Sequence, residues 1–181
     1  MIYFCAFCGH LQFYDFIIKM DFPGRCVIVK IAIGSDHGGY LLKAKLVTYL
    51  GQSGHTPTDL GTFSPEAVDY PDYARLVAQS VRGRTADRGI LICGSGVGAS
   101  VAANKFPGIR AAVCHDTFSG RQGVEDDNMN ILCLGARVIG VELAKEVVRS
   151  FVNARFSGEE RHVRRLAKVE AIEKEYMKVE L

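Results

Sequence analysis

The side chains best suited to chemistry occur in short clusters, and most of them follow an apolar run. Gly89-Ile90-Leu91-Ile92 leads directly into Cys93-Gly94-Ser95-Gly96-Val97-Gly98, a cysteine at the mouth of a turn with glycine at every second position. A turn of this kind between a strand and a helix leaves backbone N–H groups aimed at one point, with the positive end of the helix dipole behind them. An anion, or an oxygen acquiring negative charge, is stabilised there. The same donors favour a thiolate at Cys93, so the cluster combines a base or nucleophile with a cradle for negative charge. Asp36-His37 stands before Gly38-Gly39 in a second glycine turn, His115-Asp116 follows another apolar run, and Arg137 follows a third. Arg161 and Arg165 are four residues apart, so a helix places both on one face, where they could grip one phosphate.

Each candidate has a plainer structural explanation. An aspartate at 36 caps the helix that follows it, which accounts for Asp36 without a ligand; nothing comparable accounts for His37. A cysteine at a strand end is commonly just buried, and it is the glycine turn beside it that lifts Cys93 out of that class. Ser95 suits a turn, yet between Gly94 and Gly96 its hydroxyl faces whatever the turn holds. Gly94-x-Gly96-x-x-Ala99, with Asp116 about 20 residues further on, approximates a dinucleotide fingerprint. That fingerprint follows the first strand of a sheet, whereas these glycines follow the third, and Gly98 makes the turn closer to an oxyanion or phosphate cradle. Arg161 and Arg165 equally fit a solvated basic face. Glu125-Asp126-Asp127 has the charge for a metal, but adjacent carboxylates are usually solvated and no histidine pair lies near them. Cys5-Ala6-Phe7-Cys8 with His10 is half of a zinc site without a second ligand pair of suitable spacing.

The elements between these clusters must position them. The run 26–33 reads as a central strand, followed by a helix with Leu42, Leu46, Tyr49 and Leu50 on one face and Gly54 at its close. A short strand is expected near 55–60 and a loop at 61–71 containing Pro65 and Asp69-Tyr70-Pro71. A helix then carries Tyr73, Leu76, Val77, Ser80 and Val81. Further strands are expected at 89–92, 109–114 and 130–134, and two final helices at 140–155 and 159–176. Five strands alternating with helices and apolar on both faces predict an α/β fold, a three-layer α/β/α sandwich around a five-stranded, parallel, Rossmann-like sheet. Ligands of such sheets gather at the carboxyl ends of the strands, so Asp36, His37, Cys93, Ser95, His115, Asp116 and Arg137 are expected along one edge.

Composition narrows the classes of function. At 181 residues and 48% hydrophobic the chain can bury one good core, and a net charge of +2 is too small to argue for nucleic acid or a membrane surface as partner. Of the six cysteines, 93, 114 and 133 lie at or near the ends of apolar strands, which fits a reducing, cytoplasmic setting better than a disulfide framework. Residues 1–28 read as an aromatic-rich N-terminal extension, too short and too polar to span a bilayer, ahead of a domain at 29–181; Met20 could be an internal start.

Taken together, these motifs resemble the type B ribose-5-phosphate isomerase family, which also contains galactose-6-phosphate and allose-6-phosphate isomerases. The resemblance rests on Gly34-Ser35-Asp36-His37-Gly38-Gly39, Asp69-Tyr70-Pro71, the run 89–98, Ala102-Ala103-Asn104-Lys105, Gly108-Ile109-Arg110-Ala111, Asn130, Gly135-Ala136-Arg137 and Arg161-His162-x-x-Arg165. These motifs fall in order over about residues 29 to 176. What the resemblance implies is an aldose to ketose interconversion of a sugar phosphate through a cis-enediol, with neither metal nor cofactor, and ribose 5-phosphate and ribulose 5-phosphate as the expected pair. On that reading Cys93 is the base that moves a proton between C2 and C1, while Ser95 and the amides of Gly94, Gly96 and Gly98 stabilise the sugar oxygen. Substrate binding is further assigned to Asp36, His37, Tyr70, Asp127, Arg137, Arg161 and Arg165, in a homodimer with the pocket at its interface. One departure matters. Where relatives carry a ring-opening histidine followed by asparagine, this sequence reads Asp126-Asp127, which leaves Asp126 or His115 to open the ring. The alternative expectation is a family member that binds a phosphorylated sugar or nucleotide without turning it over.

Overall fold

The computed structural model describes residues 27–177; Cys5, Cys8, His10 and Met20 lie outside them. Strands β1 (Lys30–Ser35), β2 (Thr56–Asp59), β3 (Arg88–Cys93), β4 (Ala111–Val113) and β5 (Ile131–Gly135) form one sheet in the order β2-β1-β3-β5-β4, and every neighbouring pair is parallel. Between and after them run α1 (Tyr40–Gln52), α2 (Tyr70–Arg82), α3 (Val97–Ala103), α4 (Thr117–Asp127), α5 (Val141–Asn153) and α6 (Glu160–Tyr176). β1, β3 and β5 are buried almost throughout, as their unbroken apolar runs require of strands covered on both faces. β2 reads Thr-Pro-Thr-Asp and alternates between exposed and half-buried, and only at such an edge does the sheet tolerate Pro57.

Successive residues of each central strand serve opposite faces. Ile31, Ile33, Ile90, Ile92, Leu132 and Leu134 pack against Leu46 and Leu50 of α1, Val124 of α4, and Val147, Val148 and Phe151 of α5. Ala32, Leu91, Ile131 and Cys133 meet Val77 and Ala78 of α2 and Ala99 and Ala103 of α3. The sandwich expected from the strand–helix alternation is therefore the fold, with three helices on one side and two on the other, while Val169 and Ile172 of α6 lie beside the edge strand β4.

Some departures from the sequence reading have local reasons. β1 starts at Lys30 instead of 26 and runs on to Ser35, because its pairing with β3 extends to Ser35 opposite Ile92. β4 is three residues long, as the edge strand next to β5. Helix α4 had no apolar signature, since Gly120 and Gly123 interrupt it, and it is started instead by Asp116, whose Oδ1 accepts the Ser119 N–H at 2.7 Å. The order of strands reverses direction between β1 and β3, and a crevice opens outside the carboxyl ends of the strands at such a point.

Candidate active site

Three turns converge there, and glycines let them touch. A Cβ on Gly39 would lie 2.6 Å from the carbonyl oxygen of Ile92, and one on Gly135 would lie 2.7 Å from the carbonyl of Ser95. Neither contact admits a side chain, so the loops after β1, β3 and β5 close on one another and bring their polar residues into one cleft. That cleft, about 380 Å³, is lined by Asp36, Tyr70, Cys93, Gly94, Ser95, Gly98, Arg137 and Val138.

Cys93 ends β3 and is 5% exposed, with its Sγ accepting the Gly96 N–H at 3.0 Å. Gly96 takes φ +84°, a left-handed conformation natural to glycine, and this turns its amide back toward the sulfur. Its N–H is thus engaged by the thiol, not by a substrate oxygen as the glycine pattern suggested. The cradle is left to Gly94, to Gly98, whose N–H lies in the first turn of α3 without a helical partner, and to Ser95. Ser95 Oγ accepts the Val97 N–H at 3.3 Å, so its own proton remains free to donate. The other described thiols belong to the interior: burial pushes Cys114 up to about 11, and burial drives Cys133 upward as well.

Asp36 lies where the loop after β1 meets the cleft. Its Oδ1 accepts the Gly39 N–H at 3.1 Å at the head of α1, and the side chain also forms part of the cleft wall. His37 is exposed, with Nδ1 at 3.2 Å from both the N and the O of Val68. When the Val68 N–H donates, the imidazole proton sits on Nε2, where it can reach outward. Tyr70, the first residue of α2, lays its ring over Gly98, where a Cβ would stand 2.8 Å from Cζ. Arg137 supplies the cation: its side chain runs over Gly94, at 3.7 Å from where a Cβ would be, and its N–H donates to the Gly94 carbonyl at 3.0 Å.

The remaining candidates stand elsewhere in a single chain. His115 Nε2 accepts the Gly135 N–H at 2.9 Å, so this imidazole holds the end of β5 and does not line the cleft. Asp116 is occupied by capping α4, and the Ser119 N–H holds its carboxyl below the ordinary range; the dinucleotide reading thereby loses its ribose-binding acid. Glu125 faces Arg121 at 3.8 Å, Asp126 faces Gln122 and His162, and Asp127 lines a groove beneath α6 with Arg110 and Val169. Three carboxylates with three separate surroundings do not converge on one ion. Arg161 and Arg165 are exposed on α6, Arg161 pairing with Glu159 at 2.9 Å. Missed by the sequence reading was His162, buried among polar partners; its only sign was its place between the two arginines of a quoted motif.

A larger cavity of about 580 Å³ at the opposite edge of the sheet holds Arg88, which looks at first like an anion site. Its guanidinium instead donates to the carbonyls of Met129 at 3.2 Å and Ala154 at 2.6 Å and stacks on Phe151, and burial lowers its pKa to about 10. It is a structural strut.

A parallel α/β/α sandwich with a thiol, a carboxylate and a guanidinium gathered round a glycine cradle at the switch point is the architecture of an enzyme acting on a small anionic molecule. Residues 31–169 match the model of the ribose/galactose isomerase family. Ribose-5-phosphate isomerase B of Escherichia coli is 47% identical over 144 residues, 80% of this chain and 96% of that protein. D-erythrulose-4-phosphate isomerase of Pectobacterium atrosepticum is 43% identical over 133 residues, 72% of this chain and 87% of that one. The structure of Clostridium thermocellum ribose-5-phosphate isomerase B superposes with a TM-score of 0.79 at 49% identity, covering 81% of this chain and 99% of its own. That of the Mycoplasma genitalium enzyme with bound ribulose-5-phosphate gives 0.77 at 40%, covering 81% and 97%. The chain belongs to the ribose/galactose isomerase family, and it is an aldose–ketose isomerase of sugar phosphates.

Proposed function

We propose that the chain interconverts ribose 5-phosphate and ribulose 5-phosphate, with Cys93 as the proton-transfer base. The observation that carries this is the position of Cys93 Sγ, in the cleft wall and held by the Gly96 N–H at 3.0 Å, beside donors that can meet a sugar oxygen. The thiolate takes the C2 proton of the open aldose, the C1–O1 carbonyl electrons move to O1, and a cis-enediolate forms. Ser95 and the Gly94 and Gly98 amides stabilise the charge on O1. Returning the proton to C1 while the O2 proton passes to O1 completes the ketose, and no electron leaves the substrate. Asp36, His37 and Tyr70 hold the sugar, and Arg137 approaches the phosphate together with Arg161, Arg165 and Asp127 of a second copy.

The second copy is part of the reading because Arg161 and Arg165 lie outside the cleft of their own chain. Val97, Val101 and Val138 are each 56% exposed in or near the walls of the cleft, an apolar rim that a homodimer would cover. Asp126 is then the base that opens the furanose ring. A second reading is favoured by the state of that carboxylate, since Gln122 engages Oδ2 at 2.6 Å and His162 faces Oδ1 at 3.5 Å. A four-carbon aldose 4-phosphate has no free hydroxyl with which to close a furanose ring and bypasses this step, and one relative carries the name D-erythrulose-4-phosphate isomerase.

Exchange of the C2 proton with deuterated solvent tests both readings on a panel of ribose 5-phosphate, erythrose 4-phosphate and allose 6-phosphate. Wild type should exchange the five-carbon substrate fastest, and Cys93→Ala should slow that exchange about a thousandfold while still binding inorganic phosphate. Undiminished exchange in Cys93→Ala would remove the thiol from the mechanism. Faster exchange of the four-carbon substrate would favour the second reading.

A further inference from the structure

Helix α6 is held to the body of the chain near both ends, and toward its C-terminus Glu173 Oε1 accepts the Gly108 N–H at 2.8 Å. Among its residues the one that is buried is His162, 2% exposed. Its Nδ1 lies 2.7 Å from Ser157 Oγ and 3.5 Å from Asp126 Oδ1. Both partners are themselves fixed. The Ser157 N–H donates to the Glu125 carbonyl at 2.9 Å and its Oγ accepts the Glu159 N–H at 3.3 Å, while Asp126 Oδ2 accepts from Gln122 Nε2 at 2.6 Å. A satisfied polar cluster of this kind adds little net stability, because desolvation offsets most of what its bonds return; its effect is to define a geometry.

What it defines here is the first turn of α6. His162 follows Arg161 directly and precedes Arg165 by three residues, so its anchoring sets where both guanidinium stems leave the helix. The pairing of Arg161 with the exposed Glu159, two residues away, cannot orient the helix against the rest of the chain. We propose that His162, clamped between Ser157 and Asp126, is a positioning residue that sets Arg161 and Arg165 for the phosphate of the substrate. The inference rests on the phosphate role given to those arginines above. Through Asp126 the clamp also ties the phosphate end of the substrate to the carboxylate placed at ring opening.

Inorganic phosphate is the probe, titrated by calorimetry and used as a competitive inhibitor of isomerisation by the full chain. His162→Gln places its amide where Nε2 stands and loses the Nδ1 contacts, whereas His162→Asn keeps a polar atom at the Nδ1 position. Ser157→Ala, at an exposed residue, removes the hydroxyl without disturbing the core. His162→Gln and Ser157→Ala should each raise the phosphate inhibition constant and the KM for sugar phosphate about fivefold to tenfold, the effect of losing one or two hydrogen bonds. The kcat of Ser157→Ala, which leaves Asp126 untouched, and all constants of His162→Asn should stay within about twofold of wild type. Unchanged phosphate binding in Ser157→Ala and His162→Gln overturns the proposal, as does a fall in kcat that tracks a fall in Tm. Arg165→Ala separates this from the failure of the underlying reading: if that variant binds phosphate like wild type with its clamp intact, the arginines have no phosphate role and both readings fall.

Discussion

Tyr70 rests on Gly98 so closely that the two residues act as one feature. A methyl group at 98 would meet the ring at 2.8 to 3.1 Å, but the ring is 38% exposed and can swing outward. Gly98→Ala should therefore cost less than about 1 kcal/mol of stability, read from urea unfolding. The displaced ring leaves the cleft wall, so kcat/KM should fall about tenfold. Gly39→Ala makes the opposite case. There the methyl group meets the backbone oxygen of Ile92 at 2.6 Å, the two elements cannot part without opening the sheet, and the loss should be about 3 kcal/mol or more. The place of Cys93 was legible because alternating glycines mark a turn in any sequence. The direction of the Gly96 amide was not, since it follows from a backbone angle that the glycine permits but does not dictate.

Helices show the same division. Those with an apolar stripe, such as α2 and α5, could be placed from periodicity, and their buried residues include Val77, Val81, Val147 and Phe151 of the anticipated faces. Helix α4 could not, because its glycines leave Val124 as its one buried apolar side chain and its start depends on the Asp116 cap. That cap gives a pH-dependent test. The Ser119 N–H holds the folded carboxyl of Asp116 below its ordinary value, so its contribution is complete above the unfolded pKa and is lost as the pH falls through the folded one. Asp116→Asn should be less stable than wild type above about pH 4, with the gap closing below it, in urea midpoints taken across the acid range. Equally illegible was Lys43, in the first turn of α1. It is 1% exposed, paired with Asp59 and within 5.0 Å of the Phe63 ring, and Asp59 in turn accepts the Gly61 N–H at 2.9 Å. The pair thus anchors the loop that leads to Tyr70. Lys43→Ala leaves the half-buried carboxylate without its counter-charge and should cost about 3 kcal/mol, whereas Lys43→Met with Asp59→Asn should recover most of that in thermal unfolding.

The parallel sheet, its layers and the edge that carries the site followed from the alternation of apolar runs with helices, because burial on both faces leaves a strand few other sequences to use. What a single chain's sequence cannot carry is the division of a site between two copies, since residues far apart in one chain become neighbours only across an axis. In the folded chain Cys93 and Arg137 line the cleft, whereas Arg165 is not among the residues that line it. If the phosphate end is completed by a second copy, Cys93→Ala and Arg165→Ala damage the same site from different subunits. Each variant alone should be nearly inactive toward ribose 5-phosphate. Mixed in equal amounts and allowed to exchange subunits, half the dimers become heterodimers in which one site carries both substitutions and the other carries neither, so activity should return to about a quarter of wild type. A site built within one chain cannot be complemented in this way, and a mixture that stays as inactive as its components after exchange, with heterodimers verified by mass, would assign the arginine and the thiol to the same subunit.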